Sequence, residues 1–166
     1  MNAACKSLIA IALIGLTACA APPSSAQFKS DFAKATAAYD AGDYATARTY
    51  WQRLADNYDL AAMRNLGHLY RKGLGVEKDG AKARDYYHAA AKRGFAPAQY
   101  NLARMYLAAD GIAFDREAGM RWLRRAAALN YPPAQQYLHL MTQKAEPFGA
   151  PTPPTPPTPM KNAPAP

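Results

Sequence analysis

A repeat of 36 residues runs through the middle of the chain and limits the folds that this sequence can adopt. Ala62, Ala98 and Ala134 are separated by this step. Other residues related by the same step are Leu66, Leu102 and Leu138, Asn65 and Asn101, Tyr70 and Tyr106, Gly75 and Gly111, Asp79 and Asp115, and Tyr86 and Trp122. So many matches at one offset indicate stacked copies of a single structural unit.

Each unit carries two apolar stripes at helical spacing. Ala62, Leu66, Leu69 and Tyr70 occupy positions i, i+4, i+7 and i+8, which predicts a first helix, here called helix A. A second stripe of Ala and Tyr over residues 83–91 predicts helix B. Each unit is therefore expected to be a hairpin of two helices.

Cap and turn residues separate these helices. Asp79 is placed to cap the start of helix B. Gly94 and Asn130 stand at equivalent ends of helix B, and both tolerate the left-handed backbone of a helix end. Pro97 and Pro133 then fall near the start of the next helix A, where a missing N–H costs little.

The repeat resembles a Sel1-like repeat, a family related to the tetratricopeptide repeat. The segments that carry the resemblance are AMRNLGHLY at 62–70, GLGVEKD at 73–79 and KARDYYHAAA at 82–91, followed by Gly94 and Ala98. The second unit departs from this pattern at Ala103, Gly119 and Asn130. The resemblance implies an all-α fold, a right-handed superhelix (α-solenoid) of stacked hairpins with about seven helices.

The repeat domain is predicted to span residues 28–144, and one of its units is abbreviated. The predicted units are 28–61, 62–97 and 98–133, followed by a capping helix at 134–143. Trp51 stands 36 residues before Tyr87, but Tyr39 stands only 31 before Tyr70, so the first hairpin has a shorter turn. The aromatic residues Trp51, Tyr70, Tyr86, Tyr87, Tyr106 and Trp122 are expected to pack in the core.

The N-terminus has the pattern of an export signal. An apolar run over residues 8–16 follows Lys6 and is far shorter than the ~20 residues of a membrane-spanning helix. Leu16-Thr17-Ala18-Cys19 resembles the bacterial lipobox, which implies a lipoprotein signal peptide at 1–18, a lipidated Cys19 and a linker over 19–27. The alternative is a plain secretory signal cleaved after Ala26.

The lipobox resemblance also implies a location. Ala20 follows the cysteine, where an Asp would resemble the inner-membrane retention signal. We therefore expect a chain held by lipid on the periplasmic face of the outer membrane.

A Pro/Thr-rich tail is predicted to be disordered over residues 145–166. Nine of the 14 prolines lie in the last twenty residues. The run from Pro151 to Pro159 has no core-forming side chain and should sample polyproline II. Three interpretations of this run remain open: a spacer, a ligand for another protein, or a tail without a role.

Side chains suited to catalysis or metal binding are scarce. His68, His88 and His139 lie in different units, without a metal-ligand partner at helical spacing. Cys5 is expected to leave with the signal, and Cys19 is expected to carry lipid. We therefore predict no catalytic residue, no metal site, no cofactor and no enzymatic activity.

Helix A residues that are not needed for packing are predicted to line a concave groove. These residues are Arg64, Asn65, His68, Arg71, Tyr100, Asn101 and Arg104. Tetratricopeptide domains that hold a peptide carboxylate place Asn and basic residues at similar positions, which Asn65 and Asn101 match. Arg64 and Arg104 would join them in a site without a carboxylate, which favours a protein or anionic peptide partner. The alternative is a solvated face.

A second basic surface is predicted on the last helix B, and the chain has a net charge of +8. Its residues are Arg116, Arg121, Arg124 and Arg125. They could face lipid phosphates, peptidoglycan or water, and the envelope location argues against nucleic acid. We expect an adaptor or scaffold for protein–protein interactions in an envelope assembly. The alternative is a peptidoglycan-directed binder or regulator of a cell-wall enzyme.

Overall fold

The computed structural model describes residues 24–143, which form seven α-helices and, within that range, no β-strand. The helices are α1 Ser25–Asp40, α2 Tyr44–Asp56, α3 Leu60–Lys72, α4 Gly80–Lys92, α5 Ala96–Ala108, α6 Arg116–Ala128 and α7 Pro132–Gln143. The predicted signal peptide, the lipidation site at Cys19 and the Pro/Thr-rich tail lie outside the described residues.

The helices form three hairpins and a closing helix. Pairs α1/α2, α3/α4 and α5/α6 are the hairpins, and α7 packs on α6. The extensive contacts all join helices that are consecutive in the chain. The prediction of an all-α helical-repeat fold with seven helices is confirmed.

The three hairpins differ in their connections. Residues 41–43 link α1 to α2, whereas residues 73–79 and 109–115 link the helices of the other two hairpins. The first hairpin therefore has the shorter turn that the spacing predicts. The first helix begins at Ser25, ahead of the predicted domain start at Phe28.

Aspartates at the repeat spacing cap helix B of every unit. Asp43, Asp79 and Asp115 each accept a hydrogen bond from the backbone N–H three residues later, at 3.0, 2.8 and 2.8 Å. Each bond satisfies an N–H that the first helical turn leaves unpaired. The capping role predicted for Asp79 is confirmed.

Left-handed residues end the helices. Gly94 has φ of +83° and Asn130 has φ of +56°, as their positions predict. Gly73 at the end of α3 has φ of +71°, and Ala109, one repeat later, has φ of +52°. The repeat geometry thus forces an alanine into a conformation that costs an L-residue about 1–2 kcal/mol.

The core consists of small alanines packed against large side chains. Trp51 and Tyr87 are buried, and Tyr70, Tyr86 and Trp122 are partly buried against the core clusters. The prediction that this aromatic stripe packs in the core is confirmed.

A glycine allows the two helices of a hairpin to approach closely. It lies on the first helix of the second hairpin and on the second helix of the third hairpin. In the second hairpin a Cβ on Gly67 of α3 would lie 2.9 Å from the Tyr87 ring. In the third, Ala103 replaces this glycine, and the glycine is Gly119 of α6, whose Cβ would lie 2.6 Å from Leu107 Cγ. The departures from the repeat pattern at residues 103 and 119 therefore compensate for one another.

None of the helices within residues 24–143 combines the length and apolar character of a membrane-crossing segment.

Candidate partner-binding site

A cavity of about 630 Å³ opens along the first helices of the hairpins. We call it the α1/α3 cavity. Its lining residues are Phe32, Thr36, Tyr39 and Asp40 of α1, Trp51 of α2, Ala61, Arg64, Asn65 and His68 of α3, and Phe95, Pro97 and Tyr131 near the starts of α5 and α7. A volume of this size lies in the range of small-molecule and peptide side-chain pockets.

The polar wall of the cavity comes from one face of α3. Arg64, Asn65 and His68 lie within one helical turn, so their side chains project on the same side. Arg64 Nη1 donates a hydrogen bond to Asn65 Oδ1 at 2.9 Å. The Tyr39 hydroxyl lies 3.1 Å from His68 Nε2, and this contact joins α1 to α3. The wall is therefore rich in hydrogen-bond donors that are held in place.

His68 is half-buried in this wall. Burial lowers the pKa of its imidazole below the ordinary value of 6.5, and the positive charges of Arg71, Arg64 and Lys72 lower it further. The folded chain therefore favours the neutral ring at pH 7. A neutral His68 presents one donor and one acceptor nitrogen.

Aromatic rings also line the cavity. Trp51 is only 3% exposed and lies 5.5 Å, between ring centroids, from Tyr39. Trp51 Nε1 and Arg64 Nε are buried and have no acceptor among the described residues. Unpaired buried donors cost about 1–3 kcal/mol each, so an acceptor that reached these two groups would be stabilised there.

The charged residues of the cavity differ from those predicted for the groove. The predicted site contains no carboxylate, whereas Asp40 at the end of α1 lines the cavity beside Arg64 and His68. Asp40 comes from the first unit, whose shortened turn removes it from the 36-residue register. The cavity therefore combines one positive and one negative side chain.

The structure brings Arg64, Asn65 and His68 together and places the other four predicted groove residues outside the cavity. Arg71 is 13% exposed and its Nη1 lies 2.8 Å from Asp110 Oδ2 in the loop before α6. This ion pair directs its guanidinium toward the next hairpin.

The predicted residues of α5 lie further along the helix than the cavity reaches. Tyr100 packs edge-on against Tyr131 and Tyr137, at centroid distances of 5.7 and 6.3 Å. The exposed Arg104 guanidinium lies 5.7 Å from the Tyr100 ring centroid. Asn101, on the same stretch of α5, is partly buried. The start of α5, at Phe95 and Pro97, is what lines the cavity.

Several cavity residues were not identified from the sequence as site residues. Phe95 and Tyr131 are separated by 36 residues, and each precedes the proline of a helix A by two residues. This repeated aromatic position is a signal that could have found them. Phe32, Thr36 and Asp40 have no such counterpart, because α1 lies outside the regular repeat.

The basic surface on α6 is partly neutralised. Arg116, Arg121 and Arg124 line a shallow depression of about 390 Å³ with Met120 and Glu117. Arg121 is paired with Glu117. The Arg125 guanidinium lies 4.9 Å from the Trp122 ring centroid. Arg116 and Arg124 are exposed and have no ion-pair partner within residues 24–143.

Metal-binding geometry is not found in the part of the chain that the structure describes. No three His, Cys, Asp or Glu side chains in residues 24–143 come together as a metal site. His88 instead lies edge-on to Trp122, at a centroid distance of 5.7 Å.

Comparison with protein families matches the Sel1 repeat twice, at residues 60–95 and 96–131. These repeats begin two residues earlier than the units predicted from the sequence. No curated protein matches the chain.

Two solved structures are similar to this fold. One is a Sel1 repeat protein from Oxalobacter formigenes, with 33% identity and a TM-score of 0.63 over 69% of this chain and 45% of that chain. The other is c5321, a protective antigen present in uropathogenic Escherichia coli strains that displays an SLR fold. It has 25% identity and a TM-score of 0.61 over 75% of this chain and 28% of that chain.

The chain spans less than half the length of either solved protein. Sel1 repeats generally mediate protein–protein interactions as scaffolds and generally lack catalytic activity. Residues 60–131 of this chain match two consecutive Sel1 repeats, and they lie within an all-α helical-repeat fold.

Proposed function

We propose that this chain is a lipid-anchored periplasmic adaptor that holds a protein partner of an envelope assembly in its α1/α3 cavity. The observation that carries the proposal is the cavity itself, which Arg64, Asn65 and His68 line together with the rings of Tyr39 and Trp51. A concave site with aromatic walls and a few converging polar groups is suited to a peptide side chain or carboxylate.

The anchoring part of the proposal is supported by the sequence at Cys19. An acylated cysteine after a nine-residue apolar run would place the repeat domain at the periplasmic face of the outer membrane. Attachment through two or more acyl chains is stable without any spanning helix. The repeat domain would then be held near other envelope proteins.

Binding in the cavity is tested by crosslinking in intact envelopes, followed by affinity capture and mass spectrometry. The cavity variant is Arg64→Glu, which replaces a donor at the polar wall by a negative charge. We expect a carboxylate-bearing partner to be recovered at least tenfold less, because repulsion between two negative charges replaces a charge-assisted hydrogen bond.

Two matched variants make the same charge change elsewhere. Arg124→Glu lies on the exposed face of α6, and Arg104→Glu lies on α5 outside the cavity. Both variants should retain the partner to within about twofold, because charged side chains outside the binding site contribute little to affinity. The melting temperature of each variant is compared with wild type, so that loss of fold is separated from loss of binding. Equal recovery with Arg64→Glu and Arg124→Glu would refute the cavity as the partner site.

A peptidoglycan-directed binder or regulator of a cell-wall enzyme is the second candidate function. The exposed Arg116 and Arg124 beside the depression on α6 favour it, because peptidoglycan carries carboxylates. Sedimentation of the protein with isolated sacculi tests it. Co-sedimentation that Arg124→Glu abolishes and Arg64→Glu leaves intact would favour this function over the adaptor.

A further inference from the structure

The Pro/Thr run at residues 151–159 has an unusual hydrogen-bonding character. Proline has no N–H, and polyproline II makes no internal hydrogen bonds, so the run offers many carbonyl acceptors and few donors. Its sequence, PTPPTPPTP, carries no charge. A surface that binds such a segment must supply donors and flat apolar rings.

The α1/α3 cavity supplies both. Its aromatic wall is made of Phe32, Tyr39, Trp51, Phe95 and Tyr131. Aromatic-lined grooves are the usual sites for polyproline II segments.

The donors belong to residues that line the same cavity. Arg64 and Asn65 belong to the polar wall, and the buried Arg64 Nε and Trp51 Nε1 have no acceptor within residues 24–143. Both residues line the cavity, so a segment docked there would offer its carbonyl groups to their donors. The unpaired donors of the cavity and the unpaired acceptors of the run are therefore complementary.

The run can reach the cavity from the end of α7. That helix is about 18 Å long, at 1.5 Å per residue, and it begins next to Tyr131, which lines the cavity. Seven residues separate Gln143 from Pro151, and the eight steps between these two residues span up to about 26 Å when extended. The connection is therefore long enough to return along α7 to the cavity.

We propose that the run from Pro151 to Pro159 docks in the α1/α3 cavity of its own chain and competes there with the partner. The docking rests on the cavity alone, and the competition rests on the proposed adaptor function. A tail bound in this way would occupy the cavity until a partner of higher affinity displaces it. The short connection gives the tail a high effective concentration, so weak intrinsic affinity is sufficient.

The test uses the indole N–H signals of the processed full-length protein in an NMR spectrum. The chain has two tryptophans, and Trp122 does not line the cavity, so its signal is an internal reference. The tail variant replaces Pro153, Pro154, Pro156 and Pro157 by Ser. We expect the Trp51 signal to move in this variant and the Trp122 signal to stay.

Two further samples complete the experiment. A synthetic PTPPTPPTP peptide, added to the tail variant, should return the Trp51 signal toward its wild-type position. A control chain with Thr152, Thr155 and Thr158 replaced by Ser keeps every proline and should keep the wild-type signal. The tail variant should also recover several-fold more partner in the envelope capture.

Each opposite result is informative. An unchanged Trp51 signal in the tail variant would overturn the docking. A Trp51 signal in the wild-type chain that depends on protein concentration would show that the tail docks on a second copy, and it would overturn docking within one chain. If Trp51 does not respond while Arg64→Glu still loses the partner, this inference fails and the adaptor function stands. If Trp51 responds while Arg64→Glu keeps the partner, the docking stands and the adaptor function fails.

Discussion

The Tyr39 hydroxyl lies 3.1 Å from Nε2 of His68, and this contact links the first hairpin to the second across the α1/α3 cavity. The two residues are 29 positions apart and belong to α1 and α3. Their rings are 6.1 Å apart between centroids, so polar and aromatic contacts act together. The hydrogen bond therefore fixes the polar wall of the cavity against α1.

Replacing Tyr39 by Phe should remove this hydrogen bond and keep the ring. A partly buried hydrogen bond contributes about 1 kcal/mol, and His68 would lose a partner, so we expect the free energy of unfolding to fall by about that amount. Urea unfolding of the two chains measures the difference. Tyr58→Phe is the matched control, because Tyr58 is 69% exposed, and an equal loss in the control would contradict the prediction.

The stability of the chain should depend on the protonation of His68. Burial, with the charges of Arg71 and Arg64, lowers the pKa of His68 in the folded chain, whereas the unfolded chain protonates at about 6.5. Between these two pKa values the unfolded chain binds more protons, so stability falls as the pH is lowered through about 6.5. The His68 contribution is fully present above that pH.

The measurement compares wild type with His68→Gln at about pH 7.5 and about pH 5.5. Other groups lose stability on acidification in both chains, so the quantity of interest is the difference between the two pH dependences. We expect the variant to lose less stability on acidification than wild type. Parallel pH dependences would show that the pKa of His68 is not lowered in the folded chain.

Gly94→Val should destabilise the domain by about 1–2 kcal/mol, because Gly94 has a φ of +83° that strains a β-branched residue. A Cβ at this position meets no atom within 4 Å, so the loss comes from the backbone alone. Gly94→Asn is the control, since Asn130 occupies the equivalent position with φ of +56°. The prediction requires the valine variant to melt below the asparagine variant.

Gly119→Ala should destabilise the third hairpin although it improves helix propensity. Replacing a mid-helix glycine by alanine would add about 1 kcal/mol by propensity alone. The new Cβ would lie 2.6 Å from Leu107 Cγ, and overpacking of this kind costs about 1–3 kcal/mol. We therefore expect a lower melting temperature. A higher one would mean that α5 and α6 move apart enough to accommodate the new methyl group.

Cys19→Ala should abolish the incorporation of labelled fatty acid and release the protein from the membrane fraction. The acyl chains are the only membrane attachment that the proposal requires. Cys5→Ala is the matched control, because Cys5 is expected to leave with the signal and should not affect labelling. Unchanged membrane partition of Cys19→Ala would overturn the proposed anchor.

The sequence by itself determined the helices of this protein. The helical spacing of the apolar residues, the aspartates that cap helix B and the left-handed Gly94 and Asn130 all depend on contacts within a few residues along the chain. Such local interactions are readable from spacing and residue type. The shorter first turn was also predictable, because Tyr39 and Trp51 keep different offsets from their counterparts.

Only the tertiary structure decided which side chains share a site. Arg64, Asn65 and His68 were predictable together because they lie on one face of one helix. Arg71, however, turns away from the cavity to pair with Asp110. The third hairpin lines the cavity with Phe95, at the start of α5, and not with Arg104. Asp31, buried at 2% exposure and 3.1 Å from Arg53, also has no repeat counterpart. These contacts depend on how successive hairpins pack against one another, and that packing joins side chains that are far apart in sequence.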